Sequence, residues 1–409
     1  YAWNSRIENS YTLTTSPNGL MIGSATVVSS YFDNSISTST STHGRTNEAL
    51  RDQETYVGWN FETIWEKEED GLPTLRGLPM VHGVSIEIHT LEELLSIKNN
   101  LTGNYLLKSD IDLGGIDWQP IGTNINPFLG VFDGNGHTLS NLNINRPNED
   151  RVGMFGVNGG TVKNLVLENA TVEGQDNVGI LAGLNHNSIF NVSVINTHEL
   201  IGRYQVGGLV GFNNSGVIQS SSSMGAETLT GAINVGGLVG QNAGIVRLSY
   251  STNDVIATST TAGGLAGMMI SGTLEQSYST GNVSGNTTSG GFVGYLEGGI
   301  IRNCYSTGTV TIGSNNSGFV GYAWNSRIEN SYTLTTSPSG LTIGSAMVVS
   351  SYFDNSISTS TSIHGRTSEA LRDQDTYVGW NFETIWEKEG DGLPTLRGLP
   401  MVHGVVEVN

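Results

Sequence analysis

The feature that most constrains the fold is a glycine-rich pentad, of the form Gly-Gly-Leu-Val-Gly, that recurs every 27 to 29 residues. Its final glycines are Gly156, Gly183, Gly211, Gly240, Gly267, Gly294 and Gly321. An aliphatic residue follows each pentad after six or seven positions: Val162, Ile189, Val217, Val246, Leu274, Ile301 and Ile328. Glycine costs a helix interior about 1 kcal/mol, so helices do not fit between pentads. Short strands do, and the repeat predicts an all-β parallel solenoid with coils about 4.8 Å apart.

Stacked coils bring equivalent residues of neighbouring coils side by side, so columns of matching residues test the prediction. One column alternates in charge: Arg247, Glu275, Arg302 and Glu329. The next holds amides, which suit a left-handed turn: Asn164, Asn191, Gln219, Gln276, Asn303 and Asn330, with Leu248 as the exception. A third holds Tyr250, Tyr278, Tyr305 and Tyr332. The period leaves open whether these rings face inward or outward, because the phase can reset at each turn.

A second repeat divides the chain into a tandem array. Residues 1–85 return at 322–406 with eight differences. This predicts the C-terminal part of a preceding unit at 1–85, an N-terminal cap with first strands at 86–151, and seven coils at 152–344. A C-terminal cap region at 345–406, which copies 24–85, and the start of a next unit at 407–409 complete the division. The strand that would precede Tyr1 is expected from a preceding unit or a neighbouring subunit.

Both ends of the solenoid are predicted to carry short capping helices. Thr90 and Glu93 form a capping box. The helix that follows has an apolar side of Leu91, Leu94, Leu95 and Ile97. A second short helix is predicted at 367–372, ahead of an aromatic stretch. The tryptophans of that stretch and of its first copy are predicted to seal the coil ends: Trp59, Trp65, Trp380 and Trp386.

Composition excludes several classes of function. Eighteen Lys and Arg against 37 Asp and Glu give a net charge of −19, so no basic surface for nucleic acid is expected. No apolar run approaches the ~18 residues of a membrane span. One cysteine, Cys304, cannot form an internal disulfide or a cysteine zinc cluster, and it is predicted to be a small buried filler. No cofactor is expected.

The residues also argue against catalysis. The eight histidines contain no His-Glu-x-x-His zinc pair. Glu199 and Glu227 share an offset on neighbouring coils, but no basic residue accompanies them, so exposed turn positions are the favoured interpretation. Calcium ligation was weighed for one acidic group, and a role in turns and caps is favoured there: Asp110, Asp112, Asp133 and Asn135.

The pentads and the Ser-Tyr-Ser-Thr segments at 249–252 and 277–280 resemble the GLUG-motif repeat, named for its Gly-Leu-x-Gly core. Such repeats occur in surface proteins and adhesins related to filamentous haemagglutinin, and in the stalks of bacterial IgA-directed metallopeptidases. The resemblance implies a right-handed parallel β-helix and an extracellular or cell-surface location. It carries no shared catalytic residues.

We therefore expect a non-catalytic structural module of an extracellular protein or filament, with adjacent tandem units or copies of itself as partners. The alternative is an adhesin stalk that binds glycan or host protein through the four tyrosines, and the third interpretation is a polysaccharide-acting β-helix enzyme. Membrane insertion is not expected. Seven Asn-x-Ser/Thr sequons are candidate glycosylation sites: Asn100, Asn169, Asn191, Asn213, Asn282, Asn286 and Asn315.

Overall fold

A computed structural model describes residues 85–311, 313–337, 339–390 and 392–400, and, before residue 85, the backbone of seven short strands. The chain divides into two compact units, Tyr1–Val84 and Ser85–Asn409. The second unit is a β-solenoid of about eight turns with coils of about 27 residues, built almost wholly from parallel strands. The predicted fold class is confirmed.

Two parallel sheets form the second unit. The longer one contains Ile86–Ile88, Asn104–Leu107, Ile111–Asp112, Val131–Asp133, Thr138–Ser140, Phe155–Asn158, Thr161–Glu168, Ala182–Asn185, Ser188–Ile195, Val210–Asn213, Val217–Gln219, Ser222–Met224, Val239–Asn242, Ile245–Arg247, Tyr250–Ser251, Ala266–Ile270, Thr273–Glu275, Tyr278–Ser279, Val293–Glu297, Ile300–Arg302, Tyr305–Ser306, Val320–Glu329, Tyr332–Thr333, Thr342–Val349, Tyr352–Asp354 and Gly365–Arg366. The second contains Asn143–Asn145, Thr171–Glu173, Asp176–Gly179, Glu199–Gly207, Leu229–Gly236, Val255–Ala257, Thr261–Gly263, Val283–Gly285, Thr288–Gly290, Val310–Thr311 and Asn315–Ser317.

The core lies inside the coils and is built from columns of aliphatic residues. One column runs in register through Phe132, Val162, Ile189, Ile218, Val246, Leu274, Ile301 and Ile328. Each of these side chains is at most 1% exposed. Each coil thus supplies one residue per layer, which is why a constant repeat length is required.

One coil departs from the predicted alignment. Ile218, and not Val217, pairs with Ile189 in the buried column. The left-handed turn position of that coil is accordingly Ser220, with φ 51°, and not Gln219. The other predicted members of the amide column, and Leu248, all have φ between 45° and 53°. The reason is spacing, because this coil carries an additional residue between its pentad and its aliphatic residue.

Glycine is required in the pentads because backbone segments pass close to them. A Cβ on Gly240 would lie 2.4 Å from the carbonyl carbon of Gln205 and 2.7 Å from the carbonyl oxygen of Gly211. A real Cβ does not approach backbone atoms so closely. The pentad therefore marks the place where a coil folds back onto its neighbour.

Two ladders of buried polar side chains run beside the apolar columns. In the first, the Oγ of each serine accepts a backbone N–H from the preceding coil, at 3.1 to 3.2 Å, and donates to the carbonyl two residues earlier. Its members are Ser221, Ser249, Ser277, Cys304, Ser331 and Ser351. In the second, asparagine amides donate to one another at 2.7 to 2.8 Å: Asn158, Asn185, Asn213 and Asn242.

The N-terminal cap is confirmed and the C-terminal one is shorter than predicted. Thr90 and Glu93 form the reciprocal capping box at the start of helix α1, Leu91–Ser96, which continues as the 3₁₀ turn Ile97–Asn99. The helix predicted at 367–372 is reduced to the 3₁₀ turn Ala370–Arg372. It ends because Asp373 is extended, with φ −92° and ψ 124°, and its side chain caps a second 3₁₀ turn, Gln374–Thr376.

Strands of the first unit pair as their counterparts do in the second. They are Ala2–Glu8, Tyr11–Thr12, Gly23–Val28, Tyr31–Asp33, Gly44–Arg45, Trp65–Glu66 and Thr74–Leu75. Tyr11 pairs with Tyr31 as Tyr332 pairs with Tyr352. The predicted core roles of Trp59 and Trp65, and the unit start at 407–409, lie outside the described residues.

Candidate functional site: a tyrosine column and its strap

The tyrosines predicted to stack do so, with a fifth member. Tyr250, Tyr278, Tyr305, Tyr332 and Tyr352 lie at paired positions of successive strands, and we call them the tyrosine column. The first three ring-to-ring distances are 4.8, 4.9 and 5.3 Å between centroids, with the rings within 10° of parallel. The spacing hid Tyr352, because the last coil advances 20 residues and not 27.

The tyrosine column faces outward from the coils and is covered by the chain that follows them. This covering segment, residues 371–400, is called the strap; the structure describes all of it but residue 391. The two make a second hydrophobic cluster, separate from the core inside the coils. Its fully buried members are Tyr278, Tyr305, Tyr332, Tyr352, Leu371, Tyr377, Trp380, Trp386 and Leu396.

The strap runs back along the column towards earlier coils. Trp380 packs 6.3 Å from the Tyr332 ring and Trp386 packs 6.4 Å from the Tyr305 ring, between centroids. The two indoles contact each other at 4.4 Å. The predicted burial of both tryptophans is confirmed, but they cover the side of the solenoid with the tyrosines rather than sealing its end.

Polar atoms fix the register of the strap. The Tyr332 hydroxyl donates to the Pro394 carbonyl oxygen, and the Tyr278 hydroxyl donates to the Pro400 carbonyl oxygen, both at 2.8 Å. In the other direction, Trp380 Nε1 donates to the Ser350 carbonyl oxygen at 2.8 Å. Tyrosine and tryptophan suit such a site because each combines a large apolar body with one polar atom.

Burial disfavours the ionised form of these phenols. It raises the pKa of Tyr278 and Tyr305, and that of Tyr332 still more clearly. Burial likewise raises the pKa of Tyr377 in the strap. The site is thus a dry, neutral aromatic contact, which suits adhesion between surfaces and offers no acid or base near neutral pH.

The exposed binding face of the adhesin interpretation is not present as the chain is folded. Tyr278, Tyr305 and Tyr332 are at most 1% exposed, and Tyr250 is half-buried. The strap excludes glycan or protein from the first three. Replacing them would remove packing together with any binding face. Binding by this column stays a prediction and requires displacement of the strap.

The sequons divide by exposure. Asn100, Asn191, Asn282 and Asn286 are exposed, while Asn169 and Asn315 are half-buried. Asn213 is 0% exposed, because it belongs to the buried asparagine ladder and its Nδ2 donates to Asn242 Oδ1 at 2.8 Å. A glycan on the folded chain has no room there, so this candidate is wrong.

The remaining candidates take structural positions. Cys304 is buried as predicted, and burial raises the pKa of its thiol. Asp110, Asp112 and Asp133 accept turn and cap hydrogen bonds, for example from the Thr138 N–H to Asp110 Oδ1 at 2.9 Å. Among the described residues, no three His, Cys, Asp or Glu side chains lie close enough to hold a metal ion.

The paired carboxylates predicted at Glu199 and Glu227 are not aligned. Leu200 pairs with Leu229, so Glu227 is one residue out of register and lies 3.3 Å from His198 Nδ1. The cause is the same additional residue that displaces Val217. The charged column is aligned as predicted, with Glu275 and Arg302 joined by an ion pair of 2.5 Å.

One exposed aromatic group was missed. Trp324 is 56% exposed and follows Tyr322, whose ring stacks on that of Tyr295 at 5.6 Å. The signal was available as Tyr295 and Tyr322, each directly after a pentad. Elsewhere in the described part of the chain, no helix is long and apolar enough to cross a membrane.

Comparison with known families gives a match over one coil, residues 285–311, to the GLUG motif. The chain contains the GLUG motif. The matched GLUG coil begins just before a pentad, includes Tyr305 and ends after Val310–Thr311 of the second sheet. The predicted resemblance is confirmed, and the strands of the GLUG coil are the ones that stack the tyrosine column and the serine ladder.

Two curated proteins are similar to parts of this GLUG-containing chain. Halomucin of Haloquadratum walsbyi is 34% identical over 149 residues, which are 33% of the chain and 2% of halomucin. A protein of Evansella cellulosilytica named "Putative Gly-rich membrane protein" is 36% identical over 120 residues, 26% of the chain and 14% of that protein. The chain thus spans a small part of each.

A solved structure described as "a putative immunoglobulin A1 protease from Bacteroides ovatus" is also similar. It has a TM-score of 0.46 and 21% identity, with 76% of this chain and 92% of that chain covered.

Proposed function

We propose that this chain is a non-catalytic structural module of an extracellular surface protein, in which stacked coils extend a rigid surface and tandem units adjoin. The observation that carries the proposal is the unbroken register of the buried column from Phe132 to Ile328. A stack in which each coil contacts only its neighbours is a means of spanning distance. The near-exact return of residues 1–85 at 322–406 supports repetition of the unit.

The polar ladders support rigidity. Serine and asparagine hydrogen bonds inside a dry core hold one alignment, because a coil shifted by one residue would leave their donors and acceptors buried without partners. The surface location rests on the similarity to halomucin and to the Gly-rich membrane protein, carried over here as a proposal.

Electron microscopy of native material tests the structural role. We expect rods or filaments with a regular repeat that matches one unit; compact particles without a repeat would contradict the proposal. Turnover of acidic polysaccharides by the purified chain would contradict its non-catalytic part.

Protease treatment of intact host cells tests the location. We expect peptides from 152–344 to be released before lysis, with a cytoplasmic protein of the same cells as the control that stays intact. Release only after lysis would contradict a surface position.

A further inference from the structure

We propose that the tyrosine column is a self-association site, which accepts residues 50–79 of a second copy in place of its own strap, 371–400. The inference rests on the proposed structural role, because it names the surface through which copies join. The strap sequence occurs twice within residues 1–409, at 50–79 and at 371–400, with two differences in 30 positions.

Every strap residue that packs on or hydrogen-bonds to the column has an identical counterpart. The strap members are Leu371, Tyr377, Trp380, Trp386, Pro394, Leu396 and Pro400. Their counterparts are Leu50, Tyr56, Trp59, Trp65, Pro73, Leu75 and Pro79. A copy that preserves all the contacting positions preserves the chemistry of docking.

The two differences lie away from the column. Asp375, replaced by Glu54 in the first copy, is exposed. Gly390, replaced by Glu69, is exposed, and a Cβ there would contact no other atom. Its φ of 49° makes a glutamate strained without obstructing the contact with the tyrosines.

The strap can be exchanged without opening the solenoid. Among the described residues its strands pair only with each other, Trp386–Glu387 with Thr395–Leu396, and join neither sheet of the coils. The first copy forms the same hairpin in the same register, Trp65–Glu66 with Thr74–Leu75. Two of the tyrosine hydrogen bonds end on strap backbone carbonyls, which any copy supplies.

Tethering decides which copy occupies the column. A strap attached to its own solenoid acts at an effective concentration of about millimolar, so a second copy competes only when chains are crowded or the attached strap is weakened. Dense packing at a surface would supply the first condition. The experiment below imposes the second.

The test compares matched substitutions in the two straps of the full chain. The variant Trp380→Ala with Trp386→Ala removes the anchors of the attached strap and leaves residues 50–79 intact. We expect its association constant in sedimentation to rise by about tenfold or more over that of the wild type. The same change in the other copy, Trp59→Ala with Trp65→Ala, is the matched control and is expected to cause no rise.

The variant that combines all four substitutions is expected to lose the gain. No rise in the first variant, or a rise that persists in the fourfold one, overturns the inference. If the first variant does not give the wild-type circular dichroism, the wild type is titrated with a synthetic peptide of residues 50–79. Saturable binding that the peptide with both tryptophans replaced lacks supports it, and no binding at several times the ~millimolar effective concentration overturns it.

The outcomes separate this inference from the proposed function. Rods that are seen by microscopy while all four chains associate equally would leave the structural role in place and remove strap exchange. Strap exchange in a chain that forms compact particles would do the reverse.

Discussion

The hydroxyl of Tyr332 donates a buried hydrogen bond of 2.8 Å to the carbonyl oxygen of Pro394, 62 residues later in the chain. The bond joins an outward-facing side chain of one coil to a segment that leaves the solenoid after the last one. It explains why the column is tyrosine and not phenylalanine at this position, since the apolar ring and the polar atom are both used.

Replacement of Tyr332 by phenylalanine should measure that bond. The change leaves the Pro394 carbonyl buried without its partner, which costs about 1–3 kcal/mol. Chemical denaturation of the purified chain gives the value. Tyr250→Phe, at the half-buried end of the same column, is the control and should stay within about 0.5 kcal/mol of the wild type. Equal effects at the two positions would contradict the assignment.

Alkaline pH should release the strap. Burial raises the pKa of Tyr278, Tyr305, Tyr332 and Tyr377 above the usual value of 10.0. Above pH 10 the unfolded chain loses phenolic protons that the folded chain keeps, so the unfolded state binds fewer protons and the free energy of unfolding falls as pH rises. Below pH 10 this contribution is intact.

The measurement is tyrosinate absorbance followed together with thermal unfolding. We expect the buried phenols to ionise in one step, at the pH where the strap undocks. Gradual ionisation near pH 10 with no loss of stability would show that the phenols are accessible and contradict the packing of the cluster.

Cys304 occupies a serine position, and this predicts the effect of replacing it. Its Sγ donates to the Arg302 carbonyl oxygen and it lies in the ladder between Ser277 and Ser331. Cys304→Ser should therefore be within about 1 kcal/mol of the wild type, since a hydroxyl makes the same pair of bonds. Cys304→Ala, which removes the acceptor for the Ser277 N–H, should cost about 1–3 kcal/mol. Equal stability of the two variants would contradict a functioning ladder.

Glycosylation should separate the sequons by burial. In a host that glycosylates Asn-x-Ser/Thr, we expect mass spectrometry of the folded chain to find glycan at exposed sequons, such as Asn282 and Asn286, and none at Asn213. The three lie in the same unit, so each serves as a control for the others. Glycan at Asn213 would mean that modification precedes folding or that the asparagine ladder is not formed.

The period of the pentad is sufficient to predict the columns, because a constant coil length leaves no other way to align them. Where the length changes, the prediction fails, as it does at Val217 and Gln219, by one residue. A single additional residue in a loop leaves no mark on composition or propensity. Only the paired strands reveal that Ile218 and Ser220 take the two positions.

The covered tyrosine column could not be predicted in the same way. The alignment of Tyr278 with Tyr305 follows from the repeat, but the direction of the rings depends on a turn whose phase the period does not fix. The strap has no period of its own. Its bond from Tyr278 to Pro400 joins residues 122 positions apart, so no local pattern indicates it.

The pentad glycines offer the sharpest test of the stacking geometry. Gly240→Ala would bring a Cβ to 2.4 Å from the carbonyl carbon of Gln205, and backbone cannot move aside as a flexible side chain does. We expect a loss of about 3 kcal/mol or more in the free energy of unfolding, at the upper end of overpacking effects.

The control for this change is Gly114→Ala, at an exposed turn whose nearest neighbour is the Oδ1 of Asp112 at 3.0 Å. That atom ends a movable side chain, so the cost should stay within about 1 kcal/mol. Denaturant titration of both variants gives the comparison. If Gly240→Ala is tolerated as well as the control, the coils are not packed as closely as these contacts require, and the pentad must serve some purpose other than the approach of neighbouring backbones.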